Sequence, residues 1–323
     1  MPSSDLAILV PAWKPDFLEA ALASILAQTD SDFRVYVGDD AGPPELARIV
    51  ERYASDPRLS YHRFDTNMGG RDLVGQWNRC LDLVGNEEWI WLFSDDDLMD
   101  PDCVRAFRES RQRHGVADLF HFPVVLVDQD AVPMGAPHAV NWRTPQVFLE
   151  GRLRRTLESY AVENVFRRSR LREMGGIPAF DLAWCSDDAL WVGLSSRHPS
   201  VLVEGPSVRW RRSSVNISPT ETPAIARRKL ASRLDYCRWV ARNVPVFAHG
   251  EDARLLFHWF HSGIGPPAGH LGQKAIANAV TGYARTVRAR PLAALGWWMR
   301  LAFLDAARSA RVFVFGKSTG GRG

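Results

Sequence analysis

Seven aspartates stand in three tight groups along this chain. Asp39-Asp40 follows the run FRVYV, Asp95-Asp96-Asp97 follows WIWLF, and Asp187-Asp188 follows a Gly175-Gly176 turn. Neighbouring carboxylates repel one another unless positive charge lies among them. A hard divalent cation such as Mg2+ or Mn2+, bound with a diphosphate, meets that need with oxygen ligands. A positioned carboxylate can also take the proton of an attacking hydroxyl. The plainer reading of each group is turn chemistry or helix capping. Placement decides between these readings, because it determines whether the groups meet.

The first part of the chain alternates strand and helix signals. LAILV (6–10) is wholly apolar, as a strand buried on both faces must be. Residues 17–28 place Leu18, Ala21, Leu22, Ile25 and Leu26 on one helical stripe. FRVYV (33–37) is a second strand, Leu46, Ile49, Val50 and Tyr53 mark a second helix, and LSYHRF (59–64) alternates as a third strand. From Arg71 to Val84, apolar residues recur at helical spacing, and WIWLF (89–93) is a fourth strand. Pro101 to Arg113 reads as a helix with Asp100 as N-cap and Pro101 in its first position. DLFHFPVVLVD (118–128) is strand-like, with Pro123 marking an edge or bulge.

Residues 129–160 read as irregular, followed by a segment at 161–168, a helix from about Asp187 to Ser196 and a strand at VLVEG (201–205). RWRRSSVNIS (209–218) reads as a polar, cationic loop. Helices follow, with loops at 243–250 and 262–270. This order predicts an α/β fold: a mainly parallel, Rossmann-like sheet with helices on both faces, plus a C-terminal helical extension. In such sheets ligands bind beyond the carboxyl ends of the strands. Pro11-Ala12-Trp13, Asp39-Asp40 and the triplet at 95–97 all fall there.

The 323 residues, 46% of them apolar, fit one large domain with an appendage. No apolar run is long enough to span a bilayer. The start lacks the pattern of a signal peptide. The expected location is therefore cytoplasmic, with a peripheral place on the inner membrane face as a further option. Cys80, Cys103, Cys185 and Cys237 form no C-x-x-C pair, which predicts reduced, packed thiols and no zinc site. Residues 205–323 carry 19 Lys/Arg against 5 Asp/Glu, a net of +14, whereas residues 1–204 have a net of −11. A basic C-terminal part suits an anionic membrane surface or lipid phosphate, or is simply a solvated helical face. Trp297-Trp298, between Arg290 and Arg300, suits a membrane interface or helix packing. No motif supports nucleic acid as a partner.

Taken in order, the motifs resemble the family-two glycosyltransferases of the GT-A fold over roughly residues 5–218. Pro11-Ala12-Trp13 resembles the family's opening motif, VGDDAG its nucleotide motif, and NMGGRD its N-x-G loop. FSDDDLMDP resembles the D-x-D motif, REMGGIPAF the helix-to-Gly-Gly-Phe segment, and CSDDALW the motif around the catalytic base. The resemblance implies an inverting, nucleotide-sugar-dependent enzyme with a divalent metal, Mn2+ or Mg2+. It places Asp40, Pro11 and Trp13 at the nucleobase and Asp39 at the turn or nucleoside. Asp95 is implied near the ribose or metal, Asp96 as metal ligand, and Asp97 as second ligand or loop support. Asn67, Gly69 and Arg71 are implied near the diphosphate or donor sugar.

Asp187 is implied as the base, with Asp188 the alternative, because Leu190 and Trp191 follow Asp187 by three and four residues. In the cationic loop, Arg211 and Arg212 suit a diphosphate, since guanidinium groups pair bidentately with phosphate. Trp184 and Asn216 are weaker candidates for the acceptor. There are departures. Lys14 stands where the family has asparagine, Ser186 where glutamate is common, and Gln76-Trp77-Asn78 where Ala-Arg-Asn is frequent.

The implied partners are a nucleotide-sugar donor, UDP by default, and a surface-polysaccharide or lipid-linked glycan acceptor. The implied domains are 1–219 for the transferase, 220–316 for the basic helices and 317–323 for a flexible tail. The competing readings are an inactive GT-A-like module that binds nucleotide or polysaccharide, and a sugar nucleotidyltransferase. The latter usually needs a glycine-rich basic loop after the first strand, which PAWKPDF is not.

Overall fold

A computed structural model describes residues 4–213, 222–248, 250–262 and 273–286, with positions 295, 296, 299 and 303. The chain divides into two units. The first is Met1–Ala179 with Ser186–Val215, and the second is Phe180–Cys185 with Asn216–Gly323.

The first unit opens with β1 (Leu6–Ala12), α1 (Leu18–Leu26), β2 (Arg34–Asp39), α2 (Pro44–Glu51), β3 (Leu59–Arg63), α3 (Leu73–Leu81) and β4 (Trp89–Leu92). The first four strands are parallel, in the order β3-β2-β1-β4. β1 lies between two neighbours under helices, so all its positions except Pro11 are buried. That burial is the reason for the uninterrupted run LAILV. Leu6, Ile8, Val10, Val35, Val37 and Trp91 pack in one core with Leu18, Leu22, Ile25 and Leu46 of the covering helices. Each such side chain contributes roughly 1.5–3 kcal/mol by leaving water.

Next come β5 (Leu98–Met99), α4 (Cys103–Arg113), β6 (Leu119–His121), β7 (Val124–Val127), α5 (Pro145–Arg154), β8 (Asn164–Arg167) and α6 (Arg168–Glu173). The unit closes with α7 (Ser186–Leu194), β9 (Val201–Leu202) and β10 (Val208–Arg211). β8 pairs antiparallel with β4 and β6, and β9 pairs parallel with β6, completing a seven-stranded sheet. A small second sheet has the order β5-β10-β7.

Four local readings change. α4 starts at Cys103, because Asp100 turns its carboxylate to Ser207 and Arg209 instead of capping the helix. DLFHFPVVLVD is two strands in two sheets, separated at Phe122-Pro123. Proline has no N–H to offer a ladder, while the Pro123 carbonyl accepts the Val208 N–H at 3.0 Å. Residues 129–160 contain α5, capped by the Thr144 hydroxyl and begun by Pro145. Gly151 weakens its helical pattern, yet a Cβ there would lie 2.7 Å from the Leu157 Cβ. Finally, residues 209–211 of the expected loop are strand.

The second unit holds α8 (Pro223–Asn243), α9 (Gly250–Ser262) and α10 (Gln273–Thr286), with a 3-10 turn at Pro245–Ala248 in the expected loop. Val240, Phe247, Leu256 and Phe260 form its buried interior with Tyr236 and Tyr283. Phe260 stacks on Tyr283 at 5.3 Å, and the Tyr283 hydroxyl donates to the Ala253 carbonyl. Asp181 pairs with Arg228, and the Ser232 hydroxyl donates to the Asp181 carbonyl. Leu182, Ala183 and Cys185 have φ of 60°, 52° and 70°, a left-handed backbone that costs each residue about 1 kcal/mol. Among the described residues no helix is long and apolar enough to cross a membrane. Asn216, Trp297-Trp298 and the tail at 317–323 lie outside the described residues.

Candidate active site

Parallel pairing sets the carboxyl ends of β2, β1 and β4 side by side. Ala12 is level with Asp39, and Leu9 with Leu92. The Asp40 N–H donates to the Ala12 carbonyl and the Phe93 N–H to the Leu9 carbonyl, each at 2.8 Å. Asp39-Asp40 and the triplet at 95–97 therefore gather at one sheet edge, as their positions in sequence imply.

The two carboxylates after β2 build loops. Asp39 is fully buried and accepts from Gly42 N–H at 2.7 Å, the Tyr61 hydroxyl at 2.5 Å and Arg63 Nη1 at 2.6 Å. Burial first, and then the Asp39 charge, push the Tyr61 hydroxyl up to about 12. Asp40 accepts from Asn67 Nδ2 at 2.9 Å, Met68 N–H at 2.6 Å and Gly69 N–H at 2.8 Å, and it pairs with Arg79. A Cβ on Gly69 would stand 2.8 Å from Asp40 Oδ2, so glycine permits this close approach. Asn67 and Gly69 thus meet Asp40, while Arg71 is exposed nearby in sequence. Arg79 was missed. It lies one residue past Gln76-Trp77-Asn78, donates to the Thr66 carbonyl and sits 3.9 Å over the Phe64 ring.

The triplet is divided among different partners. Asp95 Oδ2 accepts from the backbone N–H groups of Trp13 and Lys14, both at 2.8 Å. This clamp fixes the end of β1 and leaves the Trp13 side chain 54% exposed, with Pro11 half-buried beside it in sequence. Asp96 accepts from the Ser94 hydroxyl and, at 2.5 Å, from Lys14 Nζ. Asp97 accepts the Arg211 N–H at 2.7 Å. Burial pushes the Asp95 carboxyl up to about 6, against the opposing charge of Lys14. Burial and then Asp96 hold Asp97 well above the usual carboxylate range. For Lys14, burial disfavours the charge, but Asp95 and Asp96 outweigh it and raise its affinity for the proton.

Arg211 and Arg212 part company. Arg211 is 2% exposed, and its guanidinium donates to the carbonyls of Asp96 at 2.7 Å and Gln129 at 2.6 Å. It also lies 4.4 Å over the Phe17 ring. These contacts make Arg211 a brace of the acidic loop. Arg212 is exposed, because side chains alternate along the strand direction that β10 sets.

Asp187 and Asp188 open α7. Asp187 is half-buried, and its Oδ1 accepts the Asp188 N–H at 2.9 Å. Burial, then the neighbouring Asp188, push the Asp187 carboxyl up to about 6. Asp188 is 2% exposed and faces Arg152. Leu190 and Trp191, whose spacing singled out Asp187, are fully buried and seat the helix in the core. Among the described residues no hydrogen bond or ion pair joins Asp187 to the triplet. Trp184 belongs to the second unit, where Lys229 Nζ lies 4.5 Å over its ring.

The carboxylates at this edge are turned to protein donors and leave no donor set for the expected metal. Among the described residues no group of three or more His, Cys, Asp or Glu side chains could hold one. At Asp96 the Lys14 ammonium already sits on the carboxylate, and Asp97 is turned to the Arg211 backbone. In this arrangement the residues do not fit a bound divalent ion.

A mainly parallel sheet with this acidic edge, an antiparallel strand beside β4 and a small second sheet defines the GT-A fold. Residues 8–159, just under half of the chain, match the model of Glycosyl transferase family 2. S. aureus TarS 1-349 in complex with UDP-GlcNAc superposes with a TM-score of 0.62 at 15% identity, covering 97% of this chain and 92% of that one. A second structure of S. aureus TarS 1-349 gives a TM-score of 0.64 at the same identity and coverage. At that identity the likeness is one of fold. Protein CgeD of Bacillus subtilis (strain 168) is 24% identical over 98 residues, 29% of this chain and 23% of that protein. The match thus spans less than a quarter of that relative.

Proposed function

We propose that the chain is an inverting glycosyltransferase. It moves a sugar from a nucleoside-diphosphate sugar to a hydroxyl of a surface-polysaccharide or lipid-linked glycan acceptor. The observation that carries this reading is the contrast at the start of α7. Asp188 is buried and paired with Arg152, whereas Asp187 is half-buried, accepts the Asp188 N–H and has its carboxyl pushed up to about 6 by burial and by Asp188, against the charge of Arg152. A carboxylate with such a value is a better base near neutrality than an ordinary aspartate.

Asp187 takes the acceptor proton as the acceptor oxygen bonds to the anomeric carbon. The bond from that carbon to the diphosphate oxygen breaks on the opposite face, so one displacement inverts the centre. The leaving diphosphate gains charge, which cationic groups stabilise, Lys14 at the sheet edge and exposed Arg212 after β10 among them. Trp13 and Pro11 form the wall for the nucleobase, and Asp40 shapes the 67–69 loop beneath it. A divalent ion would enter only where Lys14 yields Asp96.

UDP-GlcNAc is the first donor to assay, because TarS of the same fold is complexed with it. The basic second unit supports an anionic lipid-linked acceptor at a membrane surface. The test is transfer from a panel of nucleotide sugars, with product configuration read by NMR. Retention at the anomeric carbon, or full transfer by Asp187→Asn, overturns the proposal. Nucleotide binding without transfer to any acceptor favours the binding-module reading.

A further inference from the structure

We propose that Lys14 is the resident cation of this site: its ammonium occupies the position on Asp95 and Asp96 that a divalent ion would take, and it makes nucleoside-diphosphate binding by this chain independent of divalent metal. The inference rests on the nucleotide-site reading above and concerns how that site balances its charge.

The geometry is specific. Lys14 Nζ is 2.5 Å from Asp96 Oδ2 and 3.7 Å from Asp95 Oδ1, so one ammonium bridges two carboxylates. The side chains of Lys14, Asp95 and Asp96 are 17%, 6% and 8% exposed. Lys14 is also anchored at its root, since its own backbone N–H donates to Asp95 Oδ2 alongside that of Trp13. A side chain held at both ends loses little further freedom in keeping its place.

Four of the six carboxylate oxygens of the triplet are engaged. Asp95 Oδ2, both oxygens of Asp96 and Asp97 Oδ1 all accept hydrogen bonds from the protein. Mg2+ demands near-ideal octahedral oxygen geometry, and Mn2+ favours the same hard ligands. Either ion would have to expel the ammonium and break the Ser94 contact. An ammonium has three donors and can face more than one oxygen. With one turned to Asp96 and a partly open side chain, Lys14 can also reach a phosphate oxygen. A single positive charge thus joins the acidic loop to an anionic ligand.

Two measurements test this. Free Mn2+ is followed by electron paramagnetic resonance while wild type and Lys14→Asn are titrated. UDP binding is measured by calorimetry in chelator and in Mn2+. We expect wild type to bind UDP equally in both conditions and to bind Mn2+ weakly. Lys14→Asn exposes unbalanced carboxylates, so it should bind Mn2+ about tenfold more tightly and bind UDP only when Mn2+ is present. Lys14→Arg keeps the charge and should retain chelator-insensitive binding, which guards against a folding defect in the asparagine variant. Loss of wild-type UDP binding in chelator overturns the proposal, as does equal Mn2+ affinity of wild type and Lys14→Asn. If no variant binds UDP in either condition, the nucleotide-site reading fails, and the Mn2+ titration alone still decides whether Lys14 holds the cation position.

Discussion

Arg152 Nε lies 2.9 and 3.1 Å from the two carboxylate oxygens of Asp188, and this contact gives two adjacent aspartates different surroundings. Asp188 faces inward and ties α7 to α5. Asp187, one residue earlier, keeps access to solvent. Asp187→Asn should lower the transfer rate by about 10²–10⁴ while leaving nucleotide affinity and melting temperature near wild type. Asp188→Ala should instead destabilise the domain by about 3 kcal/mol, because it removes the buried carboxylate of the pair that ties α7 to α5. Steady-state kinetics with thermal melts separate the two, and a reversed pattern would reassign the base.

The pH profile follows from the Asp187 carboxyl. Its value in the folded protein is about 6, raised by burial and by Asp188. The base must be ionised to accept a proton, so the rate is full above that value and falls as pH drops through it. The expected slope below pH 6 is about tenfold per unit. An acidic limb centred near the ordinary aspartate value of about 3.9 would show that the group is not so perturbed.

Arg211 and Arg212 should respond differently to the same change. Arg211→Ala removes a buried guanidinium that binds the Asp96 and Gln129 carbonyls and covers Phe17. A loss of about 2–4 kcal/mol in stability is expected, with any effect on nucleotide secondary to it. Arg212→Ala should shift stability by no more than about 0.5 kcal/mol. It should nonetheless weaken UDP binding in calorimetry. Equal melting temperatures for both variants would contradict the bracing role.

Gly69→Ala tests the loop held by Asp40. The added Cβ would stand 2.8 Å from an oxygen that Asn67 and the Gly69 N–H also hold. Overpacking of this kind costs about 1–3 kcal/mol. The 67–70 loop should shift, with a measurable loss of UDP affinity. Arg79→Met should produce a similar loss without the steric cause. An unchanged dissociation constant in both would remove this loop from the nucleotide site.

Much of the fold was legible because burial leaves a mark on composition. LAILV is apolar throughout because β1 has a strand on each side and helices on both faces. α5 was not legible, since Phe148, Leu149 and Leu153 are its few buried positions and Gly151 interrupts them. β10 was read as loop because arginines fill it. Their partners Asp97 and Asp100 lie more than a hundred residues away in sequence, beyond the reach of any local pattern.

For the site, sequence alone determined which residues carry the acidic groups and that three strand ends bring two of those groups together. Side-chain type and strand order suffice for that, because parallel strands in a sheet end on the same side. Tertiary structure decided what each carboxylate faces. It turned Asp39 and Asp40 into loop supports, placed Lys14 on Asp96, set Arg211 inside and Arg212 outside, and paired Asp188 with Arg152. The physical reason is that a carboxylate's role depends on which donors come within about 3 Å of it, and chain order does not specify such distances.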